Sequence, residues 1–181
     1  MLRLQKPSEA YLKTAMQAAL DIKENPTPYD IQEAEYMRDM LLDGKEKEYF
    51  QKCEDKSLGK GLPEGYVPAT VWWVMEDDTL VGIFDIRHDL NGHLRLVGGH
   101  VAYLVVPAHR QKGYAKKGLR LCLDWVRQTL GHEEVLITCN VENEPSFRTM
   151  LSALRTWGGY QDTDTKVGDI KQHRVWIKTA D

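Results

Sequence analysis

The sequence predicts an α/β chain, a sheet with helices packed on it, and three observations carry that prediction. An apolar run, His100-Val-Ala-Tyr-Leu-Val-Val-Pro107, leads into a short basic turn, Arg110 to Ala115, which opens an amphipathic segment ending near Leu130. A second short, nearly continuous apolar run, Val135 to Cys139, follows, as expected of a buried strand. Ahead of both, two segments with apolar residues at helical spacing precede Val71-Trp-Trp-Val-Met75, whose residues favour a strand.

Taken in order, residues 2–6 read as a short first strand. Pro7 or Ser8 then starts a helix to about Glu24, with Leu12, Ala15, Met16, Ala19 and Leu20 as its apolar stripe. Asn25-Pro-Thr-Pro28 breaks it. A second helix spans about Asp30 to Asp43, carrying Ile31, Ala34, Met37 and Leu41, and Gly44 is its stop. Residues 51–68, rich in glycine and proline towards their end, read as an ordered loop. Val71 to Met75 and Leu80 to Arg87 form a hairpin around Glu76-Asp-Asp-Thr79, and residues 89–97 connect it, with room for one helical turn, to a strand at about 99–106. After the turn, Leu119, Cys122, Leu123, Val126 and Leu130 share one helical face, while Lys116, Lys117, Arg120 and Arg127 lie largely on the other. Gly131 ends that helix. A helix from about Pro145 to Arg155 and two final strands, 160–165 and 174–178, complete the chain.

Composition narrows the function. At 181 residues the chain is the size of one domain, residues 1–181, with 42% hydrophobic and 28% charged residues, as in soluble globular proteins. A net charge of −3 argues against nucleic acid as the main partner. No apolar run is long enough to span a membrane, and the N-terminus lacks a signal peptide's apolar core. The three cysteines, Cys53, Cys122 and Cys139, are widely spaced and odd in number, which fits reduced thiols and a cytoplasmic location. No Cys/His spacing fits a metal site.

The basic turn is suited to an anion. A helix N-terminus offers unpaired N–H groups and partial positive charge, Arg110 and Lys112 add full charges, and Gly113 and Ala115 leave the backbone bare enough for a pyrophosphate. Arg110-Gln111-Lys112-Gly113-Tyr114-Ala115 resembles the cofactor-binding motif of the GNAT superfamily of N-acetyltransferases: Gln or Arg, two residues, Gly, one residue, then Gly or Ala. Val105-Val106-Pro107-Ala108-His109 is similar to that family's lead-in strand. Leu136-Ile-Thr-Cys-Asn140 with Asn143-Glu-Pro-Ser146 is similar to its next strand and helix start. Arg87-His88, Leu90-Asn91, Gly98-Gly99-His100 and Tyr103 resemble a poorly characterised subgroup of predicted bacterial acetyltransferases. The resemblance covers roughly residues 67–178.

It implies a mixed sheet with helices on both faces, in the order β-α-α-β-β-β-α-β-α-β-β. It also implies acetyl-CoA as cosubstrate, without a metal, and a small-molecule or peptide amine as acceptor; a homodimer is compatible with it. Backbone groups of Arg110, Gln111, Lys112, Gly113, Tyr114 and Ala115 would hold the pyrophosphate. Those of Tyr103, Leu104 and Val105 would pair with the pantetheine arm, one N–H, that of Tyr103, polarising the thioester carbonyl. Asn143 either bonds the cofactor or caps the following helix, and Ser146 is the weaker candidate beside it.

Two departures stand out. Where many members carry a tyrosine acid on the last helix, this chain has Met150, and the stretch Leu151 to Trp157 is about one helical turn longer than usual. Acetyl transfer needs a neutral amine, so a base is expected, with His100 first and His88 second, each weighed against a purely structural histidine. Trp72 and Trp73 point to opposite faces, so at least one belongs to the core. Arg87 either binds an acceptor carboxylate or pairs with Asp85 or Asp89. Cys139 has no evident base partner and reads as a small buried residue rather than a nucleophile. The alternative is an acyl-CoA-binding or regulatory domain of the same fold with little turnover. A Gly-x-x-x-x-Gly-Lys-Ser/Thr loop is absent, which ranks other phosphate-binding modules last.

Overall fold

A computed structural model describes residues 1–179. Seven strands form one sheet in the order β1-β2-β3-β4-β5-β7-β6. They are β1 (Leu2–Gln5), β2 (Ala69–Glu76), β3 (Thr79–Arg87), β4 (Val101–Val105), β5 (Glu134–Asn140), β6 (Gly159–Val167) and β7 (Ile170–Lys178). Every neighbouring pair is antiparallel except β4 and β5, which run parallel and are joined by a crossover helix. Helices α1 (Leu12–Glu24), α2 (Gln32–Leu42) and α3 (Glu46–Ser57) cover one face; α5 (Tyr114–Trp125) and α6 (Glu144–Trp157) cover the other; α4 (Gly92–Leu96) is one turn in the β3–β4 connection.

The mixed sheet and the helices on both faces are as expected, with one correction. Glu46–Ser57 is a helix, whereas the sequence alone predicts a loop over residues 51–68. Its sequence, EKEYFQKCEDKS, has too few apolar residues to display a stripe, and tertiary packing supplies the reason it forms. Tyr49 and Cys53, one turn apart, are buried, and the Lys56 ammonium reaches Glu33 Oε2 at 2.8 Å and Asp85 Oδ1 at 2.9 Å. Asp85 thus pairs with Lys56, not Arg87.

Strand alternation divides the core in two. Trp73 and Ile83 sit under α1–α3, while Phe84 and Ile86 sit under α5 and α6. Trp73 is fully buried and Trp72 packs edge-on against Trp125 on the other face. Met150, on the inner face of α6, is also fully buried, and Trp157 ends the helix with the charged groups of Lys116 and Arg120 over its ring. Among the described residues no helix is long and apolar enough to cross a membrane.

Candidate active-site cleft

The parallel pair β4 and β5 touches in register only at Val101 and Ile137, and beyond it the strands diverge. The apex of this V is pinned by Gly99 and His100. Gly99, at φ +60°, sits so close to β5 that a Cβ there would lie 2.5 Å from the Leu136 carbonyl oxygen. His100 then satisfies both backbone groups of Leu136: its N–H donates to Leu136 O at 2.7 Å, and its Nδ1 accepts the Leu136 N–H at 2.9 Å.

Past the apex, β4 alternates. Arg87 N–H donates to His100 O, and Val106 N–H to Val81 O, so the even-numbered residues between them turn their backbone groups to β3. Tyr103 and Val105 therefore turn theirs into the V. Leu104, expected to share that role, contributes wall only: its backbone belongs to the β3 pairing and its side chain to the core.

At the wide end of the V lies the basic turn. Gln111 and Gly113 both adopt positive φ, +62° and +79°, and Gly113 is the N-cap of α5. The N–H groups of Gln111 to Lys116 have no hydrogen-bond acceptor among the described residues. Such a run of convergent donors at a helix start is an anion nest. It forms the end of an outer cavity of about 550 Å³ between β4, the start of α5 and α6. Three cations, Arg110, Lys116 and Arg148, line it against one carboxylate, Asp30, a balance that favours a polyanion. Lys112 is not part of this wall, because its ammonium donates to Ala108 O. The Tyr114 ring is buried, with its hydroxyl on Glu76.

A smaller inner cavity, about 220 Å³, adjoins the outer one. Tyr29, Asp30, Tyr103, Asn143 and Ser146 line both, so the two are one cleft with a shared waist. At the waist the Tyr103 hydroxyl meets Ser146 Oγ at 3.0 Å, and its ring stacks on Phe84. Burial pushes the phenol pKa up, so it stays a donor. Asn143 Oδ1 accepts the Ser146 N–H at 3.2 Å, so the helix-capping alternative holds, while its Nδ2 has no partner among the described residues and lines the waist. Tyr29 straps the loop before α2 across the mouth by donating to Glu142 O at 3.1 Å.

Both histidines lie elsewhere. His100 is 5% exposed and lines neither cavity. Burial, aided by His132, pushes its pKa down to about 4, and its Nδ1 lone pair is already used by Leu136. His88 sits beside Thr70, 2.8 Å from its hydroxyl, and its pKa is also lowered by burial. As bases for an acceptor in the cleft, both fail on position. Tyr29, Asp30 and Gln172 were not singled out from sequence, since only the fold carries the loop after Pro28 and the far end of β7 to the V.

The family model described as an acetyltransferase (GNAT) domain matches residues 15–153. Among solved structures, Mycobacterium smegmatis RimJ in complex with CoA-disulfide superposes with a TM-score of 0.69 at 15% identity, over 98% of this chain and 81% of that one. The ribosomal-protein-S5-alanine acetyltransferase from Vibrio fischeri gives 0.67 at 14%, over 99% and 93%. RimL, a ribosomal α-N-protein acetyltransferase in complex with coenzyme A, gives 0.66 at 13%, over 99% and 96%. At these identities the likeness is one of fold. No curated protein sequence matches the chain.

Proposed function

The chain belongs to the GNAT acetyltransferase family, and from that premise we propose that residues 1–181 act as one transferase unit in which the outer cavity holds acetyl-CoA, the inner cavity admits an amine, and the acetyl group passes directly between them at the waist. The observation that carries this reading is the continuity of the two cavities through Tyr103 and Ser146, with the anion nest at the outer end. The N–H groups at 111–116 and the Arg110, Lys116 and Arg148 cations suit a pyrophosphate and its attached phosphate. The Tyr103 backbone groups and the Val105 N–H, turned into the splay, suit an extended amide-bearing arm, while the Val105 carbonyl already accepts from Arg110 Nε at 3.3 Å.

In the transfer, the amine lone pair attacks the thioester carbonyl carbon. A C–N bond forms, the C–S bond breaks, and sulfur leaves as thiolate. The Tyr103 N–H stabilises the oxyanion, an interaction that strengthens only in the transition state. The Tyr103–Ser146 hydroxyl pair then takes over the position left without a tyrosine by Met150. It offers a hydrogen bond to the thiolate, whose final proton comes from solvent because a thiol is more acidic than this phenol.

Cys139 lines the inner cavity, yet burial pushes its pKa up to about 11, so the nucleophilic thiolate is scarce. Cys139→Ala is therefore expected to keep most activity. Intact-mass analysis after incubation with acetyl-CoA alone should find no acetyl adduct on this residue. An adduct there that acceptor removes would overturn direct transfer. An acyl-CoA-binding domain without turnover would bind coenzyme A but consume no acetyl-CoA with any amine.

A further inference from the structure

Resting on the transferase reading, we propose that the inner cavity selects an α-amino acceptor, an amine with a carbonyl or carboxylate oxygen close by, which Asp30 holds by its nitrogen and Arg87 by its oxygen. The cavity's charged lining consists of these two residues, one anion and one cation. The Asp30 side chain is 3% exposed. Thr27 occupies one site on each of its oxygens, through its hydroxyl at 2.6 Å and its N–H at 3.1 Å, and Arg110 stands 3.7 Å away, beyond hydrogen-bond distance. A carboxylate has about four lone-pair sites, so about two remain to accept N–H from an amine. Arg87 is half-buried and its Nη1 donates to the carbonyls of Gly98 and Gly99, each at 3.1 Å. Its three other N–H groups have no partner among the described residues, and a guanidinium with free donors at a cavity wall is suited to an oxygen ligand.

Among the described residues no histidine or glutamate lines either cavity, and Asp30 is the carboxylate in both. The acceptor must therefore supply its own neutral amine. An alkyl amine with a pKa near ~10.4 is neutral in only about one molecule per thousand at pH 7.5, whereas an α-amino group near ~7.8 is neutral in about a third. The cavity suits the second. A polyamine meets one carboxylate and a facing cation, which disfavours it. At about 220 Å³, against roughly 30 Å³ for each water of the liquid, the space takes the head of an acceptor of one or two residues. During transfer the surplus proton of the new C–N bond leaves the nitrogen for solvent water.

The test is acetyl-CoA consumption at pH 7.5 with alaninamide, glycylglycine, propylamine, spermidine and 2,2,2-trifluoroethylamine, the last a weakly basic amine without a carbonyl. Coenzyme A affinity is measured beside each rate. Alaninamide is expected to exceed propylamine in kcat/KM by about 100-fold or more, the difference in neutral fraction. It should also exceed trifluoroethylamine by about tenfold, the part owed to Arg87. Arg87→Met should erase that second preference with coenzyme A affinity retained, and Asp30→Asn, which removes a negative charge from the outer cavity as well, should raise KM for alaninamide about tenfold without weakening coenzyme A binding. Equal or faster turnover of propylamine or spermidine, or an alaninamide preference untouched by Arg87→Met, would overturn the assignment. Turnover of no amine with coenzyme A still bound would overturn it together with the transferase reading, and failure to bind coenzyme A would locate the error in the outer cavity.

Discussion

Gly113→Glu should abolish coenzyme A binding while leaving the protein folded. Gly113 caps α5 at φ +79°, and a Cβ built there meets no atom within 4 Å, so the new side chain has open space and projects from the nest. The open space is where the account puts a pyrophosphate. A carboxylate at that point opposes an anion with charge and bulk, and the left-handed backbone adds strain that disorders the neighbouring donors. The expected loss is at least 100-fold in affinity by calorimetry, with a melting temperature lowered by only a few degrees. Unchanged affinity in a folded variant would mean that the nest is an ordinary turn.

His100→Ala should cost stability at neutral pH and flatten the protein's acid sensitivity between pH 6.5 and 4, a window to which the lowered His88 and His109 also contribute. The ordinary histidine pKa is about 6.5, and the folded value is about 4. Because the folded pKa is depressed, the unfolded chain binds the proton first. Stability is complete above pH 6.5 and falls as pH drops through the window, by about 3 kcal/mol at its lower end. Protonation would also turn Nδ1 from acceptor to donor, facing the Leu136 N–H. The groups around the ring enter in order after burial: His132 lowers the pKa, Asp89 raises it, and Arg95 and Arg87 lower it. Urea unfolding as a function of pH would read this directly. A variant with the wild-type slope would show that His100 is not the acid-labile pin.

Much of this fold was legible in the sequence because its signals are local. Gly113 after a strand and before an apolar stripe announces a strand–turn–helix, and the turn proved to carry free N–H groups as the motif requires. The Asn143 cap is a matter of three residues and is one of the two roles the sequence leaves open. Helix α3 was not, because Tyr49, Cys53 and Lys56 acquire their meaning only against Trp73, Glu33 and Asp85 from other elements. The histidines misled for a related reason. Sequence supplies a titratable ring beside the right strand, but the splay of β4 from β5 decides which residues face the cleft. That splay places His100 at the closed apex and brings Asp30, from a proline-rich loop, to the open waist.

The central claim is that one cleft, from the nest to the splayed strand, receives acetyl-CoA. Hydrogen–deuterium exchange with and without saturating coenzyme A tests it most directly, because the donors assigned to the ligand are backbone N–H groups without partners among the described residues. The account predicts new protection at Gln111 to Lys116 and at Tyr103 and Val105, with Leu104 and His100 unchanged because β3 and β5 already hold them. Tight binding of coenzyme A with those amides still exchanging freely, and protection appearing elsewhere, would contradict it.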